Sequence, residues 1–249
     1  MSLVRRGHDN GIAILTLDRP RANAFDPELV ADLRRELADA RDARAVVLAS
    51  SQKLFSGGWD LPTIVSFERP RMEEFVSAYT DLIRYVFAFP APVVAALNGH
   101  AIAGGLILAA AADERIAAEG KGTFGLSEVN LGVPVPNALY EIFRYQLGER
   151  AAERLAVTGE NVSVERALQI GLVDEVVAAD RLLSRAVERG GELAGASGPG
   201  RTAMKRYSRA EALERFDAGR RGDGFLDAWF SEEGRRRVGD LVDKLTARA

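Results

Sequence analysis

Hydrophobic residues recur along the chain with two alternating periodicities. Residues 4–6 and 11–17 are short β-prone runs, and the Asn10-Gly11 pair between them favours a tight hairpin. Apolar residues within 27–40 fall at helical spacing, and residues 45–49 form a continuous apolar run that is typical of a buried strand. The same reasoning predicts helices at about 71–89 and 105–112, and strands at 93–97 and 115–118. This order predicts an α/β core with parallel strand pairing.

The second half of the chain has mainly helical periodicity. From Asn137 onward the apolar residues are spaced as in helices, and Ser163 is a suitable N-cap for a helix over 164–170. Residues 172–176 predict a short extended segment, and 178–194 predict a further helix before the breaker-rich sequence GASGPG at 195–200. We therefore divide the chain into an α/β core that carries the site, residues 1–194, and an α-helical C-terminal region, residues 195–249.

The composition narrows the chemistry that the chain can perform. With 47% hydrophobic and 28% charged residues the chain is globular, and no apolar run reaches the roughly 18 residues of a membrane span. The N-terminus lacks the apolar segment of a secretory signal, so we expect a cytoplasmic protein without a membrane partner. The absence of cysteine excludes thiol catalysis, and two widely spaced histidines leave no plausible zinc site. Carboxylates, hydroxyls, backbone amides or an external cofactor must supply the chemistry.

Charge gives little indication of a macromolecular partner. The formal net charge of −3 provides no general attraction to nucleic acid, so we expect none as a partner. Arginines cluster at 220–221 and 235–237, on segments predicted to be helical. We interpret these clusters as solvated helix faces, with contacts to small-molecule phosphates or to another subunit as the alternatives.

Two glycine-rich loops each follow a predicted buried strand and precede a helix. They are residues 55–61, FSGGWDL, and residues 98–105, NGHAIAGG. A Gly-Gly pair at such a turn lets the backbone approach a ligand and directs unpaired N–H groups at it, as in an oxyanion hole. An ordinary tight turn explains either loop alone, and neither matches a P-loop or a dinucleotide-binding fingerprint.

A third segment, GTFGLSEVNLGV at residues 122–133, gives the two loops a common context. In this order and spacing, the three segments resemble the crotonase (enoyl-CoA hydratase/isomerase) family. The resemblance extends to RPRANA at 19–24, LAVTG at 155–159 and ALQIGLV at 167–173, and so covers nearly the whole chain. Around Glu128 and in the tail over 225–244, the motifs are most similar to those of the Δ3,Δ2-enoyl-CoA isomerases.

The resemblance implies a fold, an assembly and a set of binding residues. The fold is a ClpP-like spiral of ββα units with a C-terminal α-helical trimerisation region, and the assembly is a homotrimer or a dimer of trimers. The substrate is an acyl-CoA thioester, and no separate cofactor is implied. The oxyanion N–H groups fall on Gly57 and Gly104. The remaining substrate or CoA contacts fall on Ala22, Ala24, Ser56, Gly58, Trp59, Asp60, Leu61, Gly105 and Ser127. For Asp60 we favour a structural role as the cap of the following turn.

The carboxylates distinguish between reactions that share this fold. Hydratases of the family hold the attacking water with two glutamates, but this chain has Glu128 at one of these positions and Ile107 at the other. A single carboxylate can move a proton from C2 to C4 of a 3-enoyl thioester, and an apolar pocket would raise its pKa for this task. We therefore predict isomerisation of 3-enoyl-CoA to 2-trans-enoyl-CoA, within fatty-acid β-oxidation, with Glu128 as the catalytic residue.

Several alternatives remain open from the sequence. The nearest alternative is a hydratase whose second acidic group lies elsewhere, or a related lyase of this fold. A more distant alternative is a non-catalytic acyl-CoA- or RNA-binding protein. A helical stripe of Phe75, Tyr79, Ile83 and Phe87 lines an acyl tunnel or packs in the core. Acyl chain length and branching, the choice between trimer and hexamer, and the basic residues that bind the CoA phosphates are left open.

Overall fold

The computed structural model describes residues 2–120, 122–195, 198–221 and 223–247. Its strands are β1 (Val4–Asp9), β2 (Ile12–Leu17), β3 (Ala45–Ser50), β4 (Val93–Leu97), β5 (Ala101–Ile102), β6 (Glu114–Ala118), β7 (Thr123–Gly125), β8 (Asn161–Ser163) and β9 (Glu175–Val177). Its helices are α1 (Pro27–Asp39), α2 (Leu61–Ile64), α3 (Arg69–Phe87), α4 (Gly104–Ala111), α5 (Asn137–Leu147), α6 (Glu149–Thr158), α7 (Val164–Gln169), α8 (Leu182–Gly195), α9 (Gly198–Gly219), α10 (Phe225–Trp229) and α11 (Glu232–Thr246). Two 3-10 helices lie at Glu128–Leu131 and Ala179–Arg181.

The main sheet has the strand order β1-β2-β3-β4-β6-β9. From β2 onward the neighbouring strands are parallel, as predicted, and only β1 pairs antiparallel at the edge. Asn10 and Gly11 both have positive φ, 49° and 80°, which matches the twist of a tight hairpin between β1 and β2. The predicted hairpin and parallel core are therefore confirmed.

The two faces of the central strands pack in different layers. In β3, Val46 and Leu48 point into the large core beneath α1 and α3, whereas Ala45 and Val47 pack towards α8 on the opposite face. Because successive side chains of a strand point to opposite faces, a strand covered on both sides must be apolar throughout. This explains the continuous apolar run of β3.

A second, small sheet joins the segments that carry the candidate site. Its order is β5-β7-β8, with Ala101 opposite Phe124 and Ile102 opposite Gly125. Isolated β-bridges connect further segments to this sheet. Ser56 of the first glycine-rich loop pairs with Ala101, and Trp59 of the same loop pairs with Phe25. The predicted loops and the turn before Glu128 are therefore hydrogen-bonded neighbours.

The C-terminal helices pack onto the core. Half-buried Asp113, just before β6, accepts hydrogen bonds from Lys205 (2.7 Å) and Arg209 (2.9 Å) on α9. Arg235 on α11 donates to the backbone oxygen of Val65 (2.7 Å), beyond α2. The expectation that 195–200 breaks the chain needs correction, since α9 already includes Gly198, Pro199 and Gly200; Pro at a first helical turn loses no hydrogen bond. Ala196 and Ser197 lie outside the described residues.

Two expected elements lie later than predicted. The extended segment predicted at 172–176 forms as β9 at Glu175–Val177, and the helix predicted from 178 begins at Leu182 after a 3-10 turn. Ser163 caps α7 as predicted, since its hydroxyl accepts a hydrogen bond from the backbone N–H of Arg166 (3.3 Å). In the described part of the chain, no helix is both long enough and apolar enough to cross a membrane.

Candidate active site

A cavity of about 390 Å³ lies between the two glycine-rich loops, the 3-10 helix at Glu128 and the C-terminal helices. Most of its wall is apolar. The predicted site residues that line it are Ala22, Ala24, Gly57, Trp59, Asp60, Leu61, Gly104, Ser127 and Glu128. The structure thus brings together residues from four separate segments of the sequence.

Glu128 is the first residue of its 3-10 helix, and two residues separate it from the end of β7. Its Oε2 atom is buried and has no hydrogen-bond partner among the described residues. Burial raises the pKa of the carboxyl group to about 7, because removal from water disfavours the charged form. A hydrogen bond from its own backbone N–H acts in the opposite direction but does not cancel this effect. Glu128 is therefore poised to gain and lose a proton near neutral pH.

The prediction of Gly57 as an oxyanion donor is wrong. Its backbone N–H donates to the carbonyl oxygen of Ala22 at 2.9 Å, so it is not available to a substrate. Within the residues that the structure describes, the backbone N–H groups of Trp59 and Gly104 take part in no hydrogen bond. Both of these residues line the cavity. Trp59 and Gly104, one from each glycine-rich loop, therefore each bring a free amide to the cavity.

The glycine-rich loops place these two amides close together. Gly58 has a φ of +94°, and a Cβ atom there would lie 2.9 Å from the Ile102 oxygen and 3.4 Å from the Gly104 nitrogen. Ala103 also has a positive φ, 48°, with ψ −124°, and this strained residue orients the peptide whose N–H belongs to Gly104. Its own N–H is held by the Gly125 oxygen at 2.8 Å. Such donors can stabilise an oxyanion without reorganising during the reaction.

Three predicted contact residues frame the cavity without lining it. A Cβ on Gly105 would lie 2.5 Å from the backbone oxygen of Ser56, so glycine is required where the two loops cross. The Ser56 hydroxyl donates to the Asn23 oxygen at 2.8 Å and accepts from the Gly58 N–H at 3.2 Å. Ser56, Gly58 and Gly105 therefore hold the loops together and do not border the space that a ligand would fill.

Trp59 contributes a side chain as well as an amide to the site. Its indole packs edge-on against the rings of Phe75, Tyr79 and Phe225, with centroids 5.1, 5.4 and 5.5 Å away. The hydroxyl of Tyr79 donates a hydrogen bond to the carbonyl of Gly104. Neither Phe75 nor Tyr79 borders the cavity, and Ile83 and Phe87 lie in the core, which favours the packing interpretation of this stripe.

Asp60 has the structural role that the sequence favoured. Its carboxylate accepts a hydrogen bond from the backbone N–H of Thr63 (3.3 Å) and so caps α2. It also forms an ion pair with Arg19, which binds Asp26 at 2.8 Å. Although Asp60 lines the cavity, its carboxylate is already engaged.

Part of the wall was not identified from the sequence. These residues come mainly from the C-terminal helices and from the segment after Glu128: Arg21, Pro62, Ile102, Ala103, Val133, Pro136, Phe225, Trp229, Leu241, Leu245 and Thr246. Residues 225–244 resemble the corresponding segment of the isomerases, but this resemblance did not predict that they border the cavity. Ile107 is buried in α4 and does not line the cavity, so no polar group stands at the position of the hydratases' first glutamate.

Comparison with known proteins agrees with this architecture. A family profile described as enoyl-CoA hydratase/isomerase matches residues 7–233. The chain belongs to this family. Its crotonase fold and its assignment to a family of acyl-CoA enzymes are thereby confirmed.

The similar proteins include both hydratases and isomerases. A probable enoyl-CoA hydratase of Mycobacterium avium is 36% identical over 176 residues, which cover 69% of this chain and 68% of that protein. A carnitinyl-CoA dehydratase of Salmonella typhi is 32% identical over 201 residues, covering 79% and 76%. The crystal structure of human mitochondrial Δ3-Δ2-enoyl-CoA isomerase has a TM-score of 0.93 at 25% identity and covers 99% of both chains. An enoyl-CoA hydratase from Mycobacterium ulcerans has a TM-score of 0.84 at 32% identity, covering 92% of this chain and 100% of that one.

Proposed function

We propose that this family member is a Δ3,Δ2-enoyl-CoA isomerase that uses Glu128 as its single acid/base. The observation that carries the proposal is the buried Glu128 carboxyl group, which has a pKa raised to about 7 by burial and stands in an apolar cavity beside two free amides. One carboxyl group that exchanges a proton near neutral pH is what a proton shift within one substrate requires.

The proposed reaction transfers one proton within the acyl chain. The Glu128 carboxylate removes a proton from C2 of the 3-enoyl thioester, and the electron pair of that bond is delocalised onto the thioester oxygen as a dienolate. The N–H groups of Trp59 and Gly104 donate to this oxygen, and each such donor contributes roughly 3 kcal/mol to lowering the barrier. Protonated Glu128 then delivers the proton to C4, so that the double bond moves from C3–C4 to C2–C3. The balance needs no cofactor, in keeping with a CoA thioester as the whole substrate.

The surroundings of Glu128 favour isomerisation over hydration. Water addition in this family uses a second carboxylate, and Ile107 stands where that group would be. The other carboxylate that borders the cavity, Asp60, caps α2 and pairs with Arg19. Glu128 is therefore the carboxylate in the cavity wall that is left to react. A place in fatty-acid oxidation and a homotrimer or dimer of trimers remain part of the proposal on the strength of the family resemblance.

Conversion of a 3-enoyl-CoA to the conjugated 2-enoyl-CoA, followed by ultraviolet absorbance, tests the proposal. Glu128→Gln keeps the size of the side chain but cannot carry the proton, and we expect a loss of about 10²- to 10⁴-fold in kcat. Glu214→Gln, at an exposed position on α9, serves as the matched control and should retain full turnover. Unchanged isomerisation by Glu128→Gln contradicts the proposal, and hydration of crotonyl-CoA as fast as isomerisation favours a hydratase instead.

A further inference from the structure

Both tryptophans of the chain, Trp59 and Trp229, line the Glu128 cavity. The Nε1 atom of each is buried and has no hydrogen-bond partner among the described residues. An indole N–H that is removed from water normally finds an acceptor, because leaving it unpaired is costly. Two such donors in the wall of one cavity are therefore a feature that the packing of the protein does not explain.

The two indoles belong to one aromatic wall, although 170 positions separate them in the sequence. The ring of Phe225 lies 5.5 Å from that of Trp59 and 5.8 Å from that of Trp229. Trp59 Nε1 stands beside Gly104, 2.9 Å from the place that a Cβ would take there. Trp229, only 1% exposed, comes from α10, next to the α11 residues that border the cavity. Trp59 thus lies at the oxyanion site, and Trp229 lies in the part of the wall formed by the C-terminal helices.

Since Trp229 lines the cavity, a ligand bound there can supply the acceptor that its Nε1 lacks among the described residues. If the proposed function is correct, the amides of Trp59 and Gly104 bind the thioester oxygen, which leaves the acceptor for Trp229 to another oxygen of the substrate. We infer that the preferred substrate carries a neutral oxygen on its acyl chain, as a hydroxyl, ketone or ether, and that this oxygen accepts a hydrogen bond from Trp229 Nε1. This inference rests on the proposed function and adds the chemical class of the acyl group.

The charges around the cavity favour a neutral oxygen over a carboxylate. The ionisable groups in the wall are Arg21, Asp60 and Glu128, and Asp60 is already paired with Arg19. Arg21 is exposed to solvent at the rim of the wall. A second carboxylate in the apolar interior would be desolvated and would repel Glu128. A site built to bind an oxygen rejects the analogue that lacks it, because the donor is then left unpaired.

Tryptophan resonances provide a direct test of this contact. In protein labelled with ¹⁵N-tryptophan, only two indole N–H signals exist, and Trp59→Phe and Trp229→Phe assign them. We would titrate the protein with hexanoyl-CoA and with its 4-oxo, 5-oxo, 5-hydroxy and 6-hydroxy derivatives, which lack the double bond and are not isomerised. At least one oxygenated ligand should move the Trp229 signal downfield of its position with hexanoyl-CoA. The Trp59 signal should shift by a similar amount with hexanoyl-CoA and with that oxygenated ligand.

Three outcomes of the titration have distinct meanings. A downfield shift of Trp229 that only oxygenated ligands produce supports the inference. Binding of every ligand with the same Trp229 shift overturns the inference and leaves the isomerase proposal standing. Failure of all of these acyl-CoAs to bind overturns the proposed function itself and, with it, the inference.

The contribution of the Trp229 hydrogen bond to substrate preference can be measured from the turnover of matched substrates. Site-specific replacement of Trp229 by β-(3-benzothienyl)alanine preserves the bicyclic shape and removes only the N–H donor. With a 3-enoyl-CoA and its oxygenated counterpart, we expect a wild-type preference of about ten- to hundredfold in kcat/KM for the oxygenated substrate. The replacement should bring this ratio close to one. An unchanged ratio overturns the inference even if Trp229→Phe proves too unstable to study.

Discussion

Tyr79 donates its phenolic hydrogen to the carbonyl oxygen of Gly104, across the interface between α3 and the start of α4. The same ring packs edge-on against Trp59, at 5.4 Å between centroids. One buried side chain therefore touches both residues whose free amides face the cavity. Burial, and secondarily the charge of Glu128, raises the pKa of Tyr79 well above its ordinary value, so the hydroxyl keeps its proton at physiological pH.

Loss of this hydroxyl should affect turnover more than substrate binding. Tyr79→Phe leaves the ring packing but removes the donor from a buried carbonyl, which costs about 1–3 kcal/mol in the free energy of unfolding. We expect kcat to fall about tenfold with little change in KM, because the oxyanion amides are then less rigidly placed. Tyr207→Phe, at a position 62% exposed, is the control. Equal losses in the two variants would argue against a positioning role for Tyr79.

The pH dependence of turnover should report the ionisation of Glu128. Its carboxyl group must be ionised to remove the C2 proton, and its pKa is raised by burial to about 7. We expect kcat/KM to be half-maximal near pH 7 and to fall about tenfold per pH unit below it, as for one essential base. Initial rates between pH 5 and 9 check this. A rate that stays constant from pH 5 to pH 8 would assign the proton transfer to another group.

The same ionisation should reduce stability as the pH rises. In the unfolded chain the carboxyl group ionises near its ordinary pKa of 4.5, but burial raises its pKa in the folded protein to about 7. Between these values the unfolded state releases the proton while the folded state keeps it, so folding is progressively disfavoured. Relative to Glu128→Gln, the wild type should lose up to about 3 kcal/mol between pH 4.5 and pH 7 and no more above it. Urea unfolding of both proteins at several pH values measures the difference, and a pH-independent difference would contradict the raised pKa.

Of the two neighbouring glycines in the first loop, replacement by alanine should destabilise the protein at Gly58 and be tolerated at Gly57. At Gly58 the positive φ and a Cβ only 2.9 Å from the Ile102 oxygen make alanine strained, and we expect Gly58→Ala to cost about 2 kcal/mol or more and most of the activity. At Gly57 the added Cβ meets the Ala22 methyl group at 3.5 Å and the Ala22 oxygen at 3.8 Å, which are ordinary van der Waals distances. Gly57→Ala should therefore unfold at nearly the wild-type temperature. Thermal unfolding and turnover of both variants test this loop geometry. Equal unfolding temperatures and equal turnover in the two variants would contradict it.

Much of this architecture follows from the order of the residues. The apolar runs of β3 and β4 and the helical spacing in α1 and α3 predict those elements because burial on both faces, or on one stripe, leaves a clear periodicity. The strands of the small sheet are two or three residues long and leave no periodicity to detect. Their existence depends on pairing between segments that are distant in the sequence.

The assignment of the oxyanion donor shows a second limit of sequence patterns. Glycine marks where the backbone can approach a ligand, and within the loop so indicated the family resemblance placed the donor on Gly57. Whether an amide is free, however, depends on which carbonyl lies opposite it. The Gly57 amide is not free, because it donates a hydrogen bond to the Ala22 oxygen. The free amide two residues later belongs to Trp59, a residue whose type gives no indication of this role. Likewise, no spacing rule connects Trp229 with Glu128, because only the docking of the C-terminal helices brings them to one cavity.

The double contribution of Trp59 has a consequence for how this protein could diversify. Its amide belongs to the main chain, and every residue except proline has such an N–H group, whereas its indole forms part of the cavity wall. Substitutions at position 59 can therefore alter which acyl group fits while the donor to the oxyanion persists. Libraries restricted to positions 59, 225 and 229 would explore new substrates with the proton-transfer machinery left in place.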